Sequence, residues 1–245
     1  MHVPTIDIAP FLDGSVRAVV AARGARACEE IGFLTVTGHG IAPEVVERAF
    51  ERSRALFDLP QARKDRFHPT GPSRQRGYHG FATRGLSYTL GEKAPPDLRE
   101  SYFLGPVDDH RDYFRSQPDA ADAYAPNIYP DEPEGTTDAL VAIYRAYEGL
   151  AADLLRVFAV ALGEPEEFFA GAIGRHFSIL ASHHYPPLDD PPAPGPRRTG
   201  AHTDYGALTI LAMTEAARVI PRRSQRRVGG PPPRRSDPRC GRREW

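Results

Sequence analysis

Across residues 136–162 the side chains Leu140, Tyr144, Tyr147, Leu150, Leu154, Phe158 and Ala161 recur every three or four positions, and Gly163 stands where the run stops. That period lays one apolar stripe along a helix of about seven turns, and a glycine past its end suits the left-handed residue that closes a helix. A stripe this long must be buried, so the spacing predicts a core helix, the longest of the chain, with the other segments packed around it. Tyr144 and Tyr147 belong to that core before any ligand. With 245 residues, 40% of them hydrophobic, there is material for one large domain or two small ones.

The other segments are shorter. "VPTIDIAPFL" reads as a strand stopped at Pro10, and "SVRAVVAARGARACEEI" as a helix behind a cap at Ser15. "GFLTVTGHGI" at 32–41 reads as a buried strand ending in a glycine-rich turn, with His39 as a turn-stabilising residue. "PEVVERAFERSRALFDLP" is a second helix opened by a proline. Between Pro69 and Pro106 the pattern is irregular, which predicts extended segments and loops in which Arg99 and Glu100 pair or line a cavity mouth. Strands return at "HFSILASHHYPP" (176–187) and "AHTDYGALTILAM" (201–213), separated by a proline-rich loop.

The formal charge of −1 conceals an asymmetry. Up to residue 214 there are 21 Lys and Arg against 29 Asp and Glu, a balance of −8; from 215 onward 10 stand against 3, a balance of +7. In the second part Arg, Pro and Gly replace all periodicity, so 215–245 reads as a disordered tail. Only Trp245 is aromatic there, which argues against nucleic acid as a partner. Two cysteines, Cys28 and Cys240, make no disulfide framework, and the longest apolar run, "VFAVAL", is too short to cross a bilayer. The expectation is a soluble cytoplasmic protein with no membrane partner.

Chemistry concentrates at His202 and Asp204. On a strand, residues two apart share a face, so the imidazole and the carboxylate would clamp one ion while Thr203 points away. An H-x-D string by itself is more often a surface pair; its position after a glycine-containing loop, opening an apolar strand, favours a site. Two histidines and a carboxylate on one face of an octahedron leave adjacent positions open on non-haem Fe(II), and two of those three donors are visible here.

Taken in order, "VPTIDIAPF", "IGFLTVTGHGI", "RGY" at 76–78, "PDLRESYFLG", "NIYPDEPEG", "HHYPP" and "GAHTDYGALTIL" resemble the isopenicillin N synthase-like family of Fe(II)/2-oxoglutarate-dependent oxygenases, from Val3 to Met213. The resemblance implies a mixed α and β fold: a double-stranded β-helix (jelly-roll) core, incomplete here, with N-terminal helices packed on it. It divides the chain into an N-terminal dioxygenase region (1–120), the start of the jelly-roll domain with its long helix (121–214), and the tail. It implies Fe(II) held by His202, Asp204 and a distal histidine, and 2-oxoglutarate as cosubstrate, used with O2 to hydroxylate, desaturate or cyclise a small molecule. Tyr185 matches the tyrosine of the family's Asn-x-Tyr cosubstrate motif, and His183 stands at the asparagine position. His184, beside them, ranks well below His202 as a ligand.

No histidine follows Asp204, since the nine are 2, 39, 68, 79, 110, 176, 183, 184 and 202. Arg222-Arg223-Ser224 and Arg234-Arg235-Ser236 satisfy the family's Arg-x-Ser motif only literally. Three readings follow: an oxygenase impaired by loss of the distal histidine, an inactive family remnant, or a basic-tailed binding protein. A change of reading frame near residue 215 would account for the abrupt shift in composition, and edges left unpaired beside "YGALTILAM" would favour aggregation.

Overall fold

The computed structural model describes residues 2–71, 75–85, 95–118, 120–188, 198–204 and 206–214. Strand β1 (Thr5–Asp7) leads through a one-turn helix α1 (Ala9–Leu12) to α2 (Arg17–Glu30), β2 (Thr35–Thr37) and α3 (Pro43–Phe57). Helix α4 (Gln61–Lys64) is followed by β3 (Gly77–His79), β4 (Glu100–Leu104), the short helices α5 (Arg111–Phe114) and α6 (Ala120–Ala123), the long α7 (Thr136–Ala161), α8 (Ala170–Ile173) and β5 (Leu180–His184). β1 and β2 pair in parallel, while β3, β4 and β5 form an antiparallel sheet with β4 in the centre. The fold is thus mixed α and β with a partial set of sheets.

Helix α7 organises the packing. Its first half contributes Leu140 and Tyr144 to a cluster with Leu56, Phe57, Phe67, Tyr78, Tyr102 and Leu104, which joins α3 to the antiparallel sheet. Its second half contributes Leu150, Leu154 and Val157 to another cluster with Ile6, Ile8, Phe11, Val20, Ala21 and Ala27, which joins α2 to β1. One apolar stripe therefore serves two cores. Gly163, at φ +78°, adopts the left-handed conformation that the end of such a helix favours. β4 and β5 pair along their length although the whole of α7 lies between them in sequence.

Several local expectations are corrected. Ser15 does not cap α2: Val16 is the N-cap residue, and Ser15 instead gives its N–H to Asp13 Oδ1 and its hydroxyl to the Pro10 carbonyl. Asp13 closes that turn before the helix can begin. The segment 32–41 is not a buried strand, since only Thr35–Thr37 pairs and both threonines are exposed, a two-stranded ribbon having a single covered face. No strand is formed by the described residues of 201–214. Alternation alone does not make a strand; it needs a partner to complete the hydrogen-bond ladder. The burial period survives without one: Leu208 and Ile210 pack against the α2–β1 core, and Leu211 and Met213 are exposed. The tail assigned to 215–245 lies outside the described residues, and no helix among those described is long and apolar enough to cross a membrane.

Candidate functional site

The three-stranded sheet has two chemically different faces because side chains alternate along β4. Glu100, Tyr102 and Leu104, with Tyr78 and His184 on the flanking strands, turn toward α3 and α7, where His184 stacks on Phe57 at 5.3 Å. Ser101 and Phe103, with His79 and His183, occupy the opposite face, where the Phe103 ring lies edge-on to both imidazoles at 5.4 and 6.0 Å. Register places His79, Ser101 and His183 in one row across the strands.

The face toward the helices is locked by a buried ionic network. Glu100, 5% exposed, accepts hydrogen bonds from Lys64 Nζ at 2.8 Å and Tyr78 OH at 2.5 Å through one oxygen and meets His184 Nδ1 at 2.8 Å through the other. Burial alone would raise its carboxyl pKa, but the hydrogen bonds from Lys64, Tyr78 and His184 together bring it below the usual value. His184 is thereby engaged away from the other face, and Glu100 and Arg99 form separate ion pairs rather than one with each other.

On the opposite face, Ser101 Oγ lies 2.8 Å from His183 Nδ1. Burial, followed by the nearby charges of Arg99, His202 and Arg84, pushes the His183 imidazole down to about 3, so it is neutral near pH 7. Tyr185 OH sits 2.8 Å from Thr199 Oγ1 and accepts a longer contact from Arg99 at 3.4 Å. Residues 198–204 fold back beside these groups, with Arg198 donating to the carbonyls of Tyr185 and Pro186 at 3.1 and 3.0 Å and Asp97 Oδ1 accepting the Gly200 N–H at 2.8 Å.

His202 and Asp204 converge without the strand that was expected to align them. Nε2 of His202 is 3.2 Å from Asp204 Oδ1, and Nδ1 lies 2.8 Å from the Gly200 carbonyl oxygen. A carbonyl can only accept, so Nδ1 carries a proton, and Nε2 is the ring nitrogen that faces the carboxylate. An imidazole nitrogen and a carboxylate oxygen this close can share one cation in place of a proton between them. Two cis donors each about 2.1 Å from an octahedral ion would stand about 3.0 Å apart, so the pair fits as two adjacent positions of an iron site. Among the described residues no group of three or more His, Cys, Asp or Glu side chains completes such a site.

Sequence reasoning overlooked Ser101, Asp97, Thr199 and the Lys64–Glu100–Tyr78 network. "DLRESYFLG" has polar residues at both parities, so alternation does not reveal which face is buried. His39 accepts the Ile41 N–H on Nδ1 at 3.1 Å, inside a turn flanked by Gly38 and Gly40.

A family model described as the N-terminal region of non-haem dioxygenases in morphine synthesis matches residues 3–132. A 2-oxoglutarate-Fe(II) type oxidoreductase of Aspergillus fumigatus is 30% identical over 215 residues, covering 85% of this chain and 61% of the relative. Homoarginine-6-hydroxylase of Arabidopsis thaliana is 28% identical over 221 residues, covering 85% of this chain and 58% of the relative. A full-length protein of Neurospora crassa, solved in complex with alpha-KG, superposes with a TM-score of 0.67 at 25% identity, over 83% of this chain and 61% of that one. The chain spans about three fifths of the length of these relatives.

Proposed function

We propose a function from one premise: this chain belongs to the Fe(II)/2-oxoglutarate-dependent oxygenases. Its reaction is the oxidation of a small molecule, for which bound Fe(II) with 2-oxoglutarate and O2 supplies the oxidising chemistry. His202 and Asp204 hold the metal, and the observation that carries this is their convergence, with Nδ1 of His202 committed to Gly200 and Nε2 turned to Asp204.

The surrounding residues have distinct tasks. His183 stays neutral and offers polar ring atoms beside the metal pair without adding a positive charge that would repel the ion. Tyr185 presents its hydroxyl on the same side and, with His183, lines the cosubstrate position. Region 1–120 supplies α1 to α5 and strands β1 to β4, and 121–214 supplies α7, α8, β5 and the metal pair. The exposed free thiol of Cys28 suits a reducing, cytoplasmic location.

A second reading has its own observation. Among the described residues no third His, Cys, Asp or Glu side chain joins His202 and Asp204, which favours an inactive family remnant in which the pair is an ordinary ion contact. Anaerobic Fe(II) or Mn(II) titration separates a site from a surface pair. Weak but saturable binding is expected, reduced more than about tenfold in both His202→Ala and Asp204→Ala. Equal affinity in all three proteins would show that the pair holds no metal.

A further inference from the structure

Asp97 is 2% exposed and Arg99 is 8% exposed, yet neither belongs to the metal pair or the cosubstrate side chains. Burying a carboxylate is unfavourable unless its partners compensate for the lost water, so the identity of those partners is informative. One partner of Asp97 is the backbone N–H of Gly200 at 2.8 Å, a contact spanning 103 positions of sequence. The other is Arg99, whose Nη2 lies 3.2 Å from Oδ2 as an ion pair that does not make a hydrogen bond to that oxygen. Gly200 in turn receives the Nδ1 proton of His202 on its carbonyl oxygen at 2.8 Å. Through Arg99 the same ion pair reaches the Tyr185 hydroxyl, which also meets Thr199.

We infer that Asp97 and Arg99 are positioning residues: Asp97 fixes Gly200 so that its carbonyl orients the His202 imidazole, while Arg99 holds the Tyr185 hydroxyl in place. This rests on the proposal that His202 binds metal. The described residues of 198–204 form no helix or strand, so nothing in regular secondary structure sets the direction of His202. A side chain anchored ahead of β4 replaces that ladder with one charge-assisted hydrogen bond. Substituting Asp97 acts on the metal site without touching it, as partners of ligand-orienting groups do.

The test compares the full-length chain with Asp97→Ala and Asp97→Asn by two measurements, hydrogen exchange at the Gly200 amide and Mn(II) affinity from the free-ion EPR signal. Wild type should show a protected Gly200 amide and bound Mn(II). Asp97→Ala should lose that protection and bind Mn(II) at least about tenfold more weakly. Asp97→Asn keeps a side-chain oxygen for Gly200 and should recover most of both, which also shows that the site tolerates substitution without unfolding. Unchanged protection in Asp97→Ala overturns the anchor, and lost protection with unchanged Mn(II) affinity overturns its role in the site. A wild-type chain that protects Gly200 but binds no Mn(II) overturns the metal reading of the pair, and the positioning role with it.

Discussion

Arg76 is a guanidinium with 1% of its surface exposed, and three backbone carbonyls surround it. It donates to Gln75, Ala123 and Ala125 at 2.8, 2.7 and 3.1 Å, so one side chain gathers a loop that no ladder holds. Burial lowers its pKa from the ordinary value, although it remains charged. The guanidinium fits because Gly105 lacks a side chain: a Cβ there would collide with Cζ and both terminal nitrogens of Arg76. An exposed arginine would swing aside, but this one is tied to three carbonyls. Gly105→Ala should therefore lower stability by about 1–3 kcal/mol, as overpacking does, read as a reduced urea midpoint with unchanged slope. A midpoint equal to wild type would mean that Arg76 has a second resting place. At this scale the sequence was legible where a side chain acts on its own neighbours, as His39 does. It was silent where, as at Arg76 and Asp97, the partner lies tens of positions away.

At the scale of elements, helices were legible because their period is written in consecutive residues. α7 and α3 follow their apolar spacing and their glycine and proline boundaries closely. Even there, α2 carries Gly24 in its buried face, and a Cβ at that position would meet Val157 Cγ1 at 3.6 Å, an ordinary contact. Gly24→Ala should stabilise the chain by about 0.5–1 kcal/mol by removing freedom from the unfolded state, and a thermal melt should show a raised Tm. A lowered Tm would show that α2 and α7 have no room to spare. Strands were less legible: β4 lay hidden in an irregular stretch, whereas 206–213 carries a strand's alternation without the pairing. Pairing depends on another segment, which local spacing does not reveal.

For the molecule as a whole, α7 couples two cores, and the sheet it supports carries two groups that take up protons less readily when folded. His183 is pushed down to about 3, chiefly by burial, and Glu100 lies below its ordinary 4.5 through its hydrogen bonds. In both cases the unfolded chain binds the proton first, so stability rises with pH across the window. The contribution of His183 should be complete above about pH 6.5 and decline as the pH falls toward 3. That of Glu100 is complete above about 4.5 and is lost as the pH falls through its lowered folded value. Urea midpoints should therefore decrease progressively from pH 7 to 4, and His183→Asn should flatten the part above 4.5. A wild-type profile already flat between pH 7 and 5 would show that His183 titrates normally.

The sequence by itself determined the long helix, the His202 and Asp204 pair that the proposed metal site uses, and, through the order of its motifs, the family. All are local: a period, a spacing of two, a series of short strings. Only the tertiary structure decided which face of β4 is ionic, that His184 serves Glu100, and that Asp97 meets Gly200 and Gly200 meets His202 where no strand is formed. Those outcomes depend on contacts between distant segments, where burial makes an unpaired charge or donor too unfavourable to leave alone, and the partner that satisfies it is set by packing.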